Sequence, residues 1–193
     1  MELLSKDDGR HATRLARGGL VHAVSGKKAA DMQMTPVFSE KRGVFVTLTI
    51  SGELRGCIGF PYPYLPLADA IKQAAMAAAL EDPRFPQVQA HELQNIELEV
   101  TVLTVPQPLT CEPAERPAAV LVGKHGLIVQ GMGTSGLLLP QVATEYGWDS
   151  TTFLDHTCAK AGLPGRCWTN KRVDVLIFEG QIFHETPVDN TTV

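Results

Sequence analysis

The stretch Val44-Phe45-Val46-Thr47-Leu48-Thr49-Ile50-Ser51-Gly52-Glu53-Leu54-Arg55-Gly56-Cys57-Ile58-Gly59-Phe60 decides how the chain is read. Residues 44 to 50 alternate as a half-buried strand does, and Ser51-Gly52 supplies turn chemistry, so 44 to 60 is expected to form a β-hairpin. In the second strand Leu54, Gly56, Ile58 and Phe60 then share one face, and Arg55, Cys57 and Gly59 the other. A two-residue turn sets Arg55 and Cys57 on the side of Val46, Leu48 and Ile50. One further turn residue sets them beside Thr47 and Thr49, and the sequence supports either register. Glycines at 56 and 59 remove side chains next to the thiol, which lets a backbone or a ligand approach closely. Two readings stand side by side: a structural cysteine buried at a tight strand crossing, or a site built from a cation, a thiol and two glycines.

Downstream, Pro61-Tyr62-Pro63-Tyr64 is too proline-rich for a helix or central strand. An alanine-rich helix follows at roughly 66 to 80, with small side chains that allow it to lie close against a sheet. It runs into Glu81-Asp82-Pro83-Arg84-Phe85-Pro86, where Pro83 must stop it. Here Asp82 either makes a local turn contact with Arg84 while Phe85 plugs into the core, or orients a cation such as Arg55 beside Cys57. Between 96 and 105, Ile96, Leu98, Val100 and Val102 alternate with Glu97, Glu99 and Thr101, the pattern of a half-buried antiparallel strand. Residues 106 to 117 carry four prolines and read as a surface connection between two lobes.

Gly123-Lys124-His125-Gly126 reads as a turn carrying a histidine. Residues 131 to 136, Gly-Met-Gly-Thr-Ser-Gly, match GxGxxG, but Leu137-Leu138-Leu139-Pro140 follows where a dinucleotide fingerprint needs a helix, so the glycines are expected at a hairpin tip. Pro140 suits the first turn of a helix stopped by Gly147, and Ser150 caps the next, which carries Cys158 on its apolar stripe. A last hairpin is expected from 173 to 178 and 181 to 183 around Glu179-Gly180, and then a loose tail at 189 to 193. At the other end, Ser5 or Asp7 caps a first helix that Gly26 can end, with His11 and His22 too far apart for paired metal ligation. Hairpins mixed with helices, without a βαβ rhythm, indicate an α+β fold: a mainly antiparallel sheet with flanking helices, in two lobes.

At 193 residues the chain suits a single domain, 1–193, with 44% hydrophobic and 20% charged residues, ordinary for a soluble globular protein. A formal charge of -4 argues against a general nucleic-acid surface. No apolar run is long enough for a membrane span, and Met1 to Asp8 lacks a signal-peptide pattern, so a cytoplasmic location is expected. Cys57, Cys111, Cys158 and Cys167 form no CxxC pair, and reduced thiols are the simplest expectation.

Leu54-Arg55-Gly56-Cys57-Ile58-Gly59 resembles the hallmark of the AMMECR family, named after a human X-chromosomal deletion region. The likeness continues through Asp82-Pro83-Arg84-Phe85, Val122-Gly123-Lys124-His125-Gly126-Leu127, Leu138-Leu139-Pro140-Gln141-Val142 and Trp148 to Leu163, in the expected order. It implies a two-lobed intracellular α+β protein with the hallmark residues near the cleft. It also implies a pathway shared with Memo-like and radical SAM proteins, which are often encoded beside or fused to such chains. No reaction comes with the resemblance, and no cofactor or oligomeric state is implied.

Two functions follow for the hallmark. The first is a binding protein whose site uses Arg55, Gly56, Gly59, Asp82, Arg84, Gln141 and Lys160 to hold a partner's peptide or a small anionic ligand, the thiol being a passive lining group. The second is an enzyme with Cys57 as nucleophile, activated by Arg55 or by His125 as base, with backbone amides at Gly56 or Gly59 stabilising negative charge. A metal site from Cys57, His125 and a carboxylate is a third reading, without a ligand pair close in sequence, and no resident metal is expected.

Overall fold

Helix α1 (Lys6–Ser25) begins at Ser5, whose Oγ accepts the Asp8 amide while the Asp8 carboxylate accepts the Ser5 amide, a reciprocal capping box. It ends at Gly26, which takes the left-handed conformation (φ 72°) the sequence predicts for a helix stop. The computed structural model describes residues 3–27, 32 and 34–186, and the expected tail at 189 to 193 lies outside them. These residues form an α+β architecture with two four-stranded antiparallel sheets and flanking helices, divided into two compact units. The chain leaves unit 1 after Leu103 and re-enters it at Gln181.

Unit 1 contains β1 (Val44–Ile50), β2 (Glu53–Phe60), α2 (Leu67–Leu80), β3 (Ile96–Leu103) and β8 (Gly180–His184), with strand order β2-β1-β3-β8. Val44, Val46 and Leu48 of β1 and Ile96, Leu98, Val100 and Val102 of β3 turn one face of this sheet into a core with α1 and α2. The alanine-rich stripe does what small side chains allow. Ala74, Ala75 and Ala78 are buried, and on α1 an added Cβ at Gly19 would meet the Lys72 carbonyl oxygen at 2.9 Å.

Unit 2 contains β4 (Gln107–Pro108), α3 (Arg116–Ala119), β5 (Gly126–Gly131), β6 (Thr134–Leu138), α4 (Pro140–Glu145), α5 (Ser150–Lys160) and β7 (Asp174–Phe178), in the order β4-β7-β5-β6. The GxGxxG stretch is a hairpin tip: β5 turns through Met132 and Gly133, both at positive φ, into β6. This agrees with the expectation drawn from Leu137 to Pro140. Its core is formed by Leu127, Val129, Phe153, Leu154, Trp168, Val173 and Val175.

Three expectations are corrected. The residues read as a last hairpin are two strands of different sheets: β7 pairs with β4 and β5, while β8 takes the edge beside β3. Alternation marks strands but not their partners. The cap of α5 is Asp149, whose Oδ1 accepts the Thr152 amide, rather than Ser150. The thiols are not all reduced: Cys158 and Cys167 form a disulfide, and Cys57 and Cys111 are free. Gly162 (φ 72°) turns the chain back after α5, so that the two Cα atoms stand 5.9 Å apart. Breaking this nine-residue link should lower unfolding stability by about 2–3 kcal/mol, through the loop-closure entropy regained by the unfolded chain. Denaturant unfolding of the native protein against the reduced and alkylated protein measures it, and a thiol titration of the unreduced, unfolded chain should count two cysteines.

Candidate functional site on the edge of the first sheet

Strand β2 is an edge strand, so the outward N–H and C=O groups of alternate residues need partners other than β1. The hairpin turn has two residues, Ser51 (φ 53°) and Gly52 (φ 81°), and pairs Ile50 with Glu53 and Thr49 with Leu54. A bulge then intervenes, because Leu48 pairs with Gly56, leaving Arg55 as the extra residue. Past the bulge Cys57 stands opposite Thr47, on the face away from the helices. The structure therefore combines the short turn of one register with the side-chain placement of the other. The bulge also removes Leu54 from the face of Gly56, Ile58 and Phe60, and Leu54 is exposed.

Both outward backbone groups of Cys57 are capped by the turn after α2. Asp82 Oδ2 accepts the Cys57 amide at 2.8 Å, and Arg84 Nη2 donates to the Cys57 carbonyl at 3.3 Å. The two caps hold one another: Arg84 Nε and Nη2 donate to Asp82 Oδ1 and Oδ2 at 3.0 and 2.7 Å, and the Arg84 amide donates to Oδ1 at 3.1 Å. Asp82 is buried and Arg84 is 55% exposed in its side chain. The Arg84 side chain holds the Asp82 carboxyl far below the usual range against the opposing effect of burial, and the Cys57 and Arg84 amides add to it. Asp82 in turn raises Arg84, with the Cys57 sulfur a smaller contribution. Thr47 Oγ1 donates to Cys57 Sγ at 3.4 Å.

Arg55 goes elsewhere. Its Nε and Nη2 donate to Glu92 Oε1 and Oε2 at 2.8 and 3.1 Å, and Nη1 to the Pro86 carbonyl at 2.9 Å. That bidentate pair is mostly buried, and the Arg55 side chain lowers Glu92 despite its burial. Of the two readings of Asp82, the local contact with Arg84 is present, and the contact with Arg55 is not. Phe85 is half-buried beneath the Arg84 guanidinium, 5.5 Å from its ring centre, rather than plugged into the core.

The glycines are occupied by backbone. A Cβ at Gly56 would stand 2.2 Å from the Ala78 carbonyl oxygen of α2, and one at Gly59 would stand 2.3 Å from the Val44 carbonyl oxygen. The remaining candidates belong to unit 2. His125 is buried in a turn where its Nδ1 accepts the Leu121 amide at 3.2 Å, which leaves the proton of the neutral ring on Nε2. Burial lowers its pKa most, Glu179 opposes this, and Lys124 adds to it. Gln141 on α4 and Lys160 at the end of α5 are both exposed. Among the described residues no group of three or more His, Cys, Asp or Glu is arranged to hold a metal ion, and no helix is long and apolar enough to cross a membrane.

Sequence reasoning left Thr47 beside Cys57 as one of two registers, which the bulge decides, and it missed Glu92, which lies far along the chain from Arg55. The one available signal for Glu92 is its place three residues after Gln89, whose amide it accepts at 2.7 Å in a local capping box.

Asp82→Asn should destabilise the protein by about 2 kcal/mol at neutral pH, since it weakens four hydrogen bonds to a buried carboxylate. The folded carboxyl titrates below the unfolded one, so its contribution is complete above the ordinary aspartate range and is lost as pH falls below about 4. Denaturant unfolding from pH 7 to 2 should show a shallower acid limb in the variant.

The AMMECR1 family model matches residues 13–183. A protein of Methanothermobacter thermautotrophicus is 50% identical over 185 residues, covering 94% of this chain and 96% of its own. A protein of Methanosarcina barkeri is 51% identical over 188 residues, covering 95% and 93%. The crystal structure of an uncharacterized protein from Pyrococcus horikoshii is similar with a TM-score of 0.78 and 44% identity, covering 94% of this chain and 93% of that one.

Proposed function

Since the chain belongs to the AMMECR1 family, whose resemblance carries no reaction with it, we propose that it is a binding component that takes a partner's peptide or a small anionic ligand at Cys57 and the outer side of Arg84. The observation that carries this reading is the division of labour between the two arginines. Arg55 spends its donors on Glu92 and Pro86, whereas Arg84 is more than half exposed and is held in place through the buried Asp82. A fixed, accessible guanidinium beside a thiol is a ready acceptor of carboxylate or phosphate oxygens. Asp82 and Arg55 are positioning residues in this reading. The Memo-like and radical SAM proteins of the family resemblance are the first partners to test.

The alternative, Cys57 as a nucleophile, rests on the Thr47 hydroxyl 3.4 Å from the sulfur and on the Arg84 guanidinium that donates to the Cys57 carbonyl. Two measurements separate the readings. Binding predicts that Arg84→Ala abolishes capture of a Memo-like or radical SAM partner while Cys57→Ser retains it. Site-resolved alkylation of the native protein against pH then tests the thiol: selective labelling of Cys57 over Cys111, with a midpoint well below the free-thiol value of about 8.5, supports the nucleophile instead. Capture undiminished by Arg84→Ala would sink the binding site proposed here.

A further inference from the structure

We propose that unit 2 holds a small oxyanion, a carboxylate or a phosphate group, against the Nε–Nη2 edge of Arg116. This residue opens α3 and is only 6% exposed. Its Nη1 donates to the Trp168 carbonyl at 2.5 Å, and its Nε is buried without an acceptor. A guanidinium stays charged at any working pH, and a buried charge is costly unless an opposite charge accompanies it.

The other buried arginines follow that rule. Arg17, 2% exposed, has Glu185 and two backbone carbonyls, and Arg42, 3% exposed, has Glu40. Arg116 has no carboxylate within ion-pairing distance among the described residues. Three acids of its own unit are engaged elsewhere: Asp155 accepts Trp168 Nε1 and the Arg166 amide, Glu112 pairs with Lys171, and Glu179 pairs with Lys124. The unpartnered side of the guanidinium is its Nε–Nη2 edge, the fork that matches two oxygens of one carboxylate or phosphate. A bound oxyanion supplies both the missing acceptor and the missing charge.

The test uses the full chain, with inorganic phosphate and, separately, acetate as probes, and chloride adjusted to hold ionic strength constant. The thermal midpoint should rise saturably by several degrees, and the Arg116 Nε–H resonance should shift with the same concentration midpoint. Response to phosphate alone or to acetate alone identifies which oxyanion class fits. Arg116→Gln should lose the dependence, while Arg166→Gln and Lys171→Gln, which remove surface cations of the same unit, should keep it. If Arg116→Gln does not fold, the wild-type resonance decides. A midpoint that follows ionic strength alone, an equal response in Arg116→Gln, or an Nε–H resonance unmoved by either probe overturns the proposal.

Discussion

Glu185→Ala should destabilise the protein by about 3–5 kcal/mol, the cost of leaving a buried guanidinium without its counter-charge. Arg17 and Glu185 have side chains 2% and 5% exposed, and Arg17 Nε donates to Glu185 Oε1 at 2.7 Å in a bidentate pair. The same guanidinium donates to the carbonyls of Leu93 and Ile96 at 3.1 and 2.7 Å, so it ties α1 to the entry of β3 and to the segment after β8. Removing the carboxylate leaves those two bonds and the charge but takes away the compensation. The double change Arg17→Met with Glu185→Leu replaces the pair by apolar groups of similar length, and should recover most of the loss. Urea unfolding of wild type, single and double variants measures both. A loss below about 1 kcal/mol for Glu185→Ala would place the pair in solvent rather than in the core.

Gly56→Ala should cost about 3 kcal/mol or more, through overpacking. The added methyl would lie 2.2 Å from the Ala78 carbonyl oxygen, so either α2 moves away from β2 or the strand does. Because the obstacle is backbone, trimming Ala78 to glycine should not rescue the variant. Thermal and denaturant unfolding test this directly. Loss of partner capture in Gly56→Ala would accordingly reflect displaced backbone and not a lost contact at Cys57.

Legibility in the sequence tracked the range of the interaction concerned. Local signals were sound: Ser5 and Gly26 bound α1, the alternation from Ile96 marks β3, and Leu137 to Pro140 ruled the glycine stretch a hairpin tip. The hairpin at 44 to 60 and the α+β class came from the same period-two pattern. At the site, the sequence singled out Arg55, Cys57, Asp82 and Arg84, and the structure brings all four to the β2 edge. The Asp82 contact with Arg84 was one of the two readings the sequence offered, whereas the pairing of Arg55 with Glu92, 37 residues along the chain, is not legible until the chain between them is folded.

By itself, then, the sequence located most strands, helices and turns, because caps, prolines, glycines and hydrophobic periodicity act within a few residues. Tertiary structure alone decided which strands share a sheet, sending β7 and β8 apart, and where Cys57 faces, through one bulged residue. It also decided which charges meet, joining Arg17 to a carboxylate 168 residues away, and which thiols are joined. Those outcomes depend on packing and desolvation between distant segments, and nothing in a local pattern encodes the partner across the fold.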